Sequence, residues 1–144
     1  MPDCSISHDM ITGFPNESED DHKLTLSLME EVKYSFGYMF KYSERPGTLA
    51  AKKLDDNVDE NVKRRRLSEI VELQQQHSLF RSKENINQVV EVLIEKESKK
   101  SSNHWAGRNQ QNSVVIIPKA KYKVGDFVNV KISDCTSATL IGEA

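Results

Sequence analysis

Six basic side chains crowd the last third of the chain: Lys99, Lys100, Arg108, Lys119, Lys121 and Lys123. Trp105, Tyr122 and Phe127 are interleaved with them. Basic groups contact phosphates and aromatic faces stack on bases, so this mixture points to RNA. The alternative is a solvated set of loops, with Trp105 tucked onto the fold. A second basic run, Lys63-Arg-Arg-Arg66, reads as a solvated helix face or as a contact with RNA phosphate. Arg45 offers a planar, permanently charged fork for a carboxylate or phosphate, or a plain surface salt bridge. Metal chemistry has no comparable support. Cys4 and Cys135 stand nearly a chain apart without a Cys or His at ligand spacing, and His8, His22, His77 and His104 are scattered. Two free thiols in a reducing cytosol are expected. A disulfide would need a secretory context, and the N-terminus has neither a positive leader region nor a long apolar stretch.

The 144 residues carry 20 Lys+Arg against 22 Asp+Glu, a net charge of −2. That balance argues against binding nucleic acid by bulk charge alone, and the length predicts that a large multi-step enzyme is not complete here. The average hides a gradient. Residues 1–51 hold 4 basic and 9 acidic side chains, residues 52–84 hold 8 and 7, and residues 85–144 hold 8 and 6. The C-terminal portion is therefore the better candidate for meeting a polyanion. The longest apolar runs, Val92-Leu-Ile94 and Val114-Val-Ile-Ile117, fall far short of the roughly 20 residues of a membrane helix. A soluble, cytoplasmic protein without a membrane partner is the expectation.

The elements that must position these side chains follow from periodicity. Ser5 to Pro15 alternates and then breaks at Gly13 and Pro15, which predicts a strand ending in a turn. Ser18 with Asp21 marks a helix start, and Leu24, Leu28, Met29 and Val32 form an apolar face over residues 19–33. Tyr34 to Tyr42 predicts a second strand whose aromatics Tyr34, Phe36, Tyr38, Phe40 and Tyr42 are core, or alternatively a stacking platform. Strand, helix, strand is a βαβ unit with parallel strands. Parallel strands are normally covered on both faces, so the first 50 residues look like the closing end of a larger barrel. Asn57 and Glu60 at capping-box spacing start a long helix from Val58 to about Ser82, with Leu67, Ile70, Val71 and Leu73 as its stripe. From Asn87 the period becomes two. Val90, Val92 and Ile94, then Val114–Ile117, then Val128, Val130 and Ile132, then Thr139–Gly142 predict a small antiparallel β-barrel of the oligonucleotide-binding kind. The fold class is α+β, divided at 1–51, 52–82 and 83–144.

Three ordered strings carry a resemblance: Asp9-Met-Ile-Thr-Gly-Phe-Pro-Asn-Glu17, Tyr42-Ser-Glu-Arg-Pro-Gly-Thr-Leu-Ala50 and Gly107-Arg-Asn-Gln-Gln-Asn112. Together they resemble the C-terminal part of the methylthiotransferases, radical S-adenosylmethionine enzymes that end in an RNA-binding TRAM barrel. The run Tyr42–Thr48 is similar to the tRNA-modifying branch rather than the branch acting on a ribosomal protein. That branch converts isopentenylated adenosine beside the anticodon to its 2-methylthio form. The resemblance implies a terminal βαβ piece of a radical-enzyme barrel, a helical connector and a TRAM domain that grips the tRNA anticodon stem-loop. It implies cofactor contacts from Asp9, Ile11, Gly13, Glu17 and Arg45, although a strand-to-helix turn without a ligand is the plain alternative for the first four. It adds Asn112 to the RNA-facing set. S-adenosylmethionine and iron–sulfur clusters would belong to a parent protein with a further N-terminal part. The family's Cys-x-x-x-Cys-x-x-Cys set is not matched by Cys4 and Cys135, so this segment alone is expected to hold no cofactor and to lack catalytic competence. A non-catalytic RNA-binding module, or the branch acting on a ribosomal protein, is the alternative expectation. Two departures from the family concern turns: Asn16 and Asn87 stand where glycine is usual.

Overall fold

The computed structural model describes residues 4–144. Met1 to Asp3, part of the predicted 1–51 segment, lie outside the described residues. Two compact units are present: Ile6–His77, and Ser78–Ala144 together with the described Cys4 and Ser5.

The first unit begins with β1 (Ser7–Thr12), α1 (Glu19–Val32) and β2 (Phe36–Lys41). The two strands pair in parallel from Ser7 opposite Phe36 to Thr12 opposite Lys41, as the βαβ reading requires. Ser18 caps α1 through a complete capping box with Asp21, and Lys33 ends it in the left-handed region. Residues 49–53 form a short helix, α2 (Leu49–Lys53), too brief to show a helical period in the sequence. It is followed by α3 (Glu60–Lys83). The cap of α3 is Asp59, whose carboxylate accepts the Asn61 N–H at 2.8 Å. Asn57, expected as the cap, instead accepts the Asn16 N–H at 2.8 Å and donates to the Asn16 side chain. That pairing holds Asn16 at φ 69°, where an asparagine substitutes for glycine at little cost.

Three packing expectations are corrected here. On α1 the buried residues are His22 and Met29, while Leu24 and Leu28 face solvent. On β2 only Tyr42, just beyond the strand, is buried; Tyr38 and Phe40 are 63% and 55% exposed, on the same open face as Ile11. On α3 the inward stripe is Lys63, Arg66, Ile70, Gln74 and His77 at helical spacing, so most of it is polar. Each charge on that stripe is matched. Lys63 binds Asp56, Arg66 donates to the Glu17 carbonyl at 3.0 Å and pairs with Glu19 at 3.2 Å, and Gln74 bridges His8 and the Tyr34 carbonyl. Neither a solvated face nor an RNA contact describes Lys63 or Arg66, because both are buried. Arg64 and Arg65 remain outward.

The second unit is a closed five-stranded barrel: β3 (Val89–Ser98), β4 (Ser101–Asn109), β5 (Val114–Pro118), β6 (Phe127–Cys135) and β7 (Leu140–Glu143). The order around it is β3-β4-β5-β7-β6 and back to β3. The predicted antiparallel barrel needs one correction, since β5 and β7 pair in parallel through Val115–Leu140 and Ile116–Ile141. Val92, Ile94, Val115, Ile117, Val128, Val130, Ile132 and Leu140 fill the interior. At about 1.5–3 kcal/mol for each fully buried aliphatic side chain, this cluster is the main support of the unit. Strand β4 has no period-two pattern in its sequence. It is accepted because Gly107 lets it approach the Leu93 backbone where a Cβ would collide. Asn87 has φ 69°, and its N–H donates to the Ile132 carbonyl at 2.8 Å, so the turn expected from glycine is kept.

Candidate nucleic-acid interface

The barrel sorts its basic residues by end. Lys99 and Lys100 form the tip of the β3–β4 hairpin. Lys119, Lys121 and Lys123 lie on the β5–β6 connection, and the Lys119 N–H donates to the Asn103 carbonyl at 2.9 Å beside the hairpin. The same connection returns to β3 through Gly125 N–H to the Ile94 carbonyl at 2.8 Å. These five lysines therefore share one end. Arg108 and Asn112 occupy the opposite end, at the β4–β5 turn, because His104 pairs with Pro118 at one limit of the ladder and Arg108 with Val114 at the other.

Their local chemistry differs as well. Arg108 donates to the Asn112 carbonyl at 2.8 Å and to its side-chain oxygen at 3.0 Å, and lies 3.5 Å from Glu95. It clamps a turn in which Asn112 takes φ 63°. Lys119 pairs with Glu97 and sits 4.5 Å above the Trp105 ring, a cation–π contact. Lys99, Lys100, Lys121 and Lys123 are exposed and make no ion pair among the described residues. Trp105 and Arg108 both lie on β4. Trp105 is half-buried against the core, as is Tyr122; Phe127, at the start of β6, is 67% exposed. Sequence reasoning missed Glu97, which neutralises Lys119 from 22 residues away with no local signal.

The predicted cofactor residues lie in the other unit. Glu17 does not project from its turn. Its carboxylate accepts the N–H of Gly13, the N–H of Phe14 at 3.1 Å and the Thr12 hydroxyl at 3.2 Å, and Arg66 lies 3.5 Å away. Gly13 has φ 73°, and a Cβ there would collide with Lys63 Cγ, so the space beside it is filled by α3. Asp9 and Ile11 are exposed on the open face of β1. Arg45 is exposed at a turn where its carbonyl accepts the Thr48 N–H at 3.3 Å. His22, 1% exposed, lies 3.9 Å from Glu17 and meets Glu69 at 2.6 Å. That hydrogen bond, aided by Arg65, holds the Glu69 carboxyl below the usual carboxylate range despite partial desolvation. Arg65 does the same for Glu19.

The thiols of Cys4 and Cys135 are free, and burial with the nearby Asp134 carboxylate pushes the Cys135 thiol up. Among the described residues no group of three or more His, Cys, Asp or Glu side chains could hold a metal ion. No described helix is long and apolar enough to cross a membrane.

A family model for the TRAM domain matches residues 83–144. Curated relatives extend the similarity over the whole chain. A tRNA-2-methylthio-N(6)-dimethylallyladenosine synthase of Christiangramia forsetii is 64% identical over 143 residues, which is 99% of this chain and 30% of the relative. The proteins of that name from Flavobacterium johnsoniae and Bacteroides thetaiotaomicron are 62% and 50% identical, over 100% and 99% of this chain and 30% and 31% of theirs. The chain thus spans about 30% of the length of these relatives. With a TRAM domain matched at residues 83–144 and this identity along its full length, the chain is similar to the C-terminal portion of the tRNA-2-methylthio-N(6)-dimethylallyladenosine synthases.

Proposed function

We propose that this chain is the RNA-gripping C-terminal segment of an enzyme that adds a 2-methylthio group to isopentenylated adenosine beside the tRNA anticodon. One observation carries the reading: five lysines converge on one end of a closed five-stranded barrel within a TRAM domain, four of them without an ion pair among the described residues. That end meets the phosphates of the anticodon stem-loop. Residues 83–144 are the RNA-binding domain, 52–82 the connector and 1–51 the last strands of a radical-enzyme α/β barrel. The exposed face of β1 and β2, with Ile11, Tyr38 and Phe40, supports that assignment, since parallel sheets are ordinarily covered on both sides. The parent protein acts in the cytoplasm.

The parent's S-adenosylmethionine and iron–sulfur clusters supply the radical chemistry of sulfur insertion and methyl transfer. The two thiols described here do not fit a cluster, which needs at least a triad of thiolates. Of the residues proposed to face S-adenosylmethionine, Asp9, Ile11 and Arg45 keep exposed side chains. Gly13 and Glu17 instead build the turn that carries them. By itself the chain acts as an RNA-binding module, the reading that the thiol count favours.

Filter binding of an anticodon stem-loop RNA at rising salt tests the proposal. The logarithm of the affinity should fall linearly with the logarithm of salt concentration. Absent binding at low salt, or binding indifferent to salt, overturns it.

A further inference from the structure

We infer that Phe127 is a stacking platform for one unpaired RNA base, with Lys121 and Lys123 on the preceding loop contacting the adjacent phosphates. The inference rests on the reading of residues 83–144 as an RNA-binding domain. Three aromatic rings lie near the basic end, and two of them are committed elsewhere. Trp105 packs against the core beneath Lys119, and Tyr122 packs against the same core. Phe127 is 67% exposed, and Val124 beside it is 55% exposed.

The position of Phe127 is fixed. It is the first outward residue of β6, opposite Leu93, and its neighbour Val128 points into the barrel. The turn before it is closed from both sides: the Asp126 N–H donates to the Lys123 carbonyl at 3.1 Å, and the Lys123 N–H donates to the Asp126 carboxylate at 3.0 Å. Gly125 at φ 97° makes that turn possible. The Ile94 N–H donates to the Asp126 carbonyl at 2.9 Å and pins the turn to β3. Backbone held this firmly presents the ring at a set place on the surface, and flanking lysines supply the charge complementarity that an RNA needs. Stacking requires a base free of its own neighbours, so the ligand is a single-stranded stretch or loop rather than a duplex.

The test uses the full 144-residue chain and two labelled probes, an unstructured oligoribonucleotide and a blunt RNA duplex, read by fluorescence anisotropy at several salt concentrations. Phe127→Leu should weaken binding of the single strand about tenfold with an unchanged salt slope, and Phe127→Tyr should retain binding. Lys123→Ala should flatten the slope by about 0.7. Single-strand affinity that survives Phe127→Leu, or an equal loss on the duplex, overturns the inference while leaving the RNA-binding reading intact. Absence of salt-dependent binding by the unmodified chain removes that reading, and the inference with it.

Discussion

The Lys63 ammonium lies 2.6 Å from each carboxylate oxygen of Asp56, with the lysine side chain 2% exposed and the aspartate 28%. The Tyr42 ring sits 5.5 Å from the same nitrogen. Removing the carboxylate leaves a buried charge with Glu60, 3.9 Å away, as its remaining ion-pair partner among the described residues. Asp56→Ala should therefore destabilise the Ile6–His77 unit by about 2 kcal/mol, toward the low side for a buried pair because Asp56 keeps some solvent. Lys63→Met, which removes the buried charge itself, should cost less. Urea titrations of the two variants check the order.

Acid should weaken the same unit. Glu69 is held low by His22 and Arg65, Glu19 by Arg65 and Arg66, and Glu60 by Lys41. Carboxyls whose folded pKa is depressed contribute stability above their unfolded value, about 4.3, and lose it as pH falls through the folded value. The unfolding midpoint should be steady from pH 7 to 5 and drop below about 4. Glu69→Gln should reduce the steepness of that drop.

Two glycines separate packing from turn geometry. Gly13 and Gly47 both have positive φ, 73° and 89°, but a Cβ meets Lys63 only at Gly13. Gly47→Ala should cost about 1 kcal/mol in backbone strain, and Gly13→Ala clearly more. Equal midpoints for the two variants would contradict the filled space beside Gly13.

The two ends of the barrel should respond differently to charge reversal. Lys99→Glu with Lys100→Glu should weaken stem-loop binding more than tenfold and lower the salt slope. Arg108→Ala should change affinity less than twofold, because that guanidinium is spent on Glu95 and the Asn112 turn. Nitrocellulose retention at fixed salt measures both.

Thiol labelling should be ordered. Cys4 is exposed, whereas Cys135 is half-buried with its thiol pushed up by burial and Asp134. A maleimide at pH 7 should modify Cys4 first, as mass spectrometry of the digest would reveal.

The strands and helices with strong periodicity were legible: β1, α1 and β2 in order, and the alternation of Val128, Val130 and Ile132 in the barrel. Other features were hidden for physical reasons. The buried stripe of α3 is polar, so a search for apolar spacing selects Leu67 and Leu73 and passes over Lys63, Arg66 and Gln74, whose partners are distant in sequence. Strand β4 follows no alternation because its register shifts against β3. The parallel closure of β5 on β7 leaves no local trace. At the basic end, composition identified the lysines. That Glu97 neutralises Lys119, and that Glu95 meets Arg108 at the other end, depends on cross-strand neighbours that only the folded barrel brings together.

Trp105 is the single tryptophan of the chain, and it lies in the barrel beneath Lys119. Three of the four tyrosines, Tyr34, Tyr38 and Tyr42, belong to the other unit. The protein therefore carries its own optical labels. Excitation at the red edge reports the melting of the barrel alone, while near-ultraviolet tyrosine signals are weighted to the salt-bridged unit. Two midpoints in one sample would measure how independently the halves unfold.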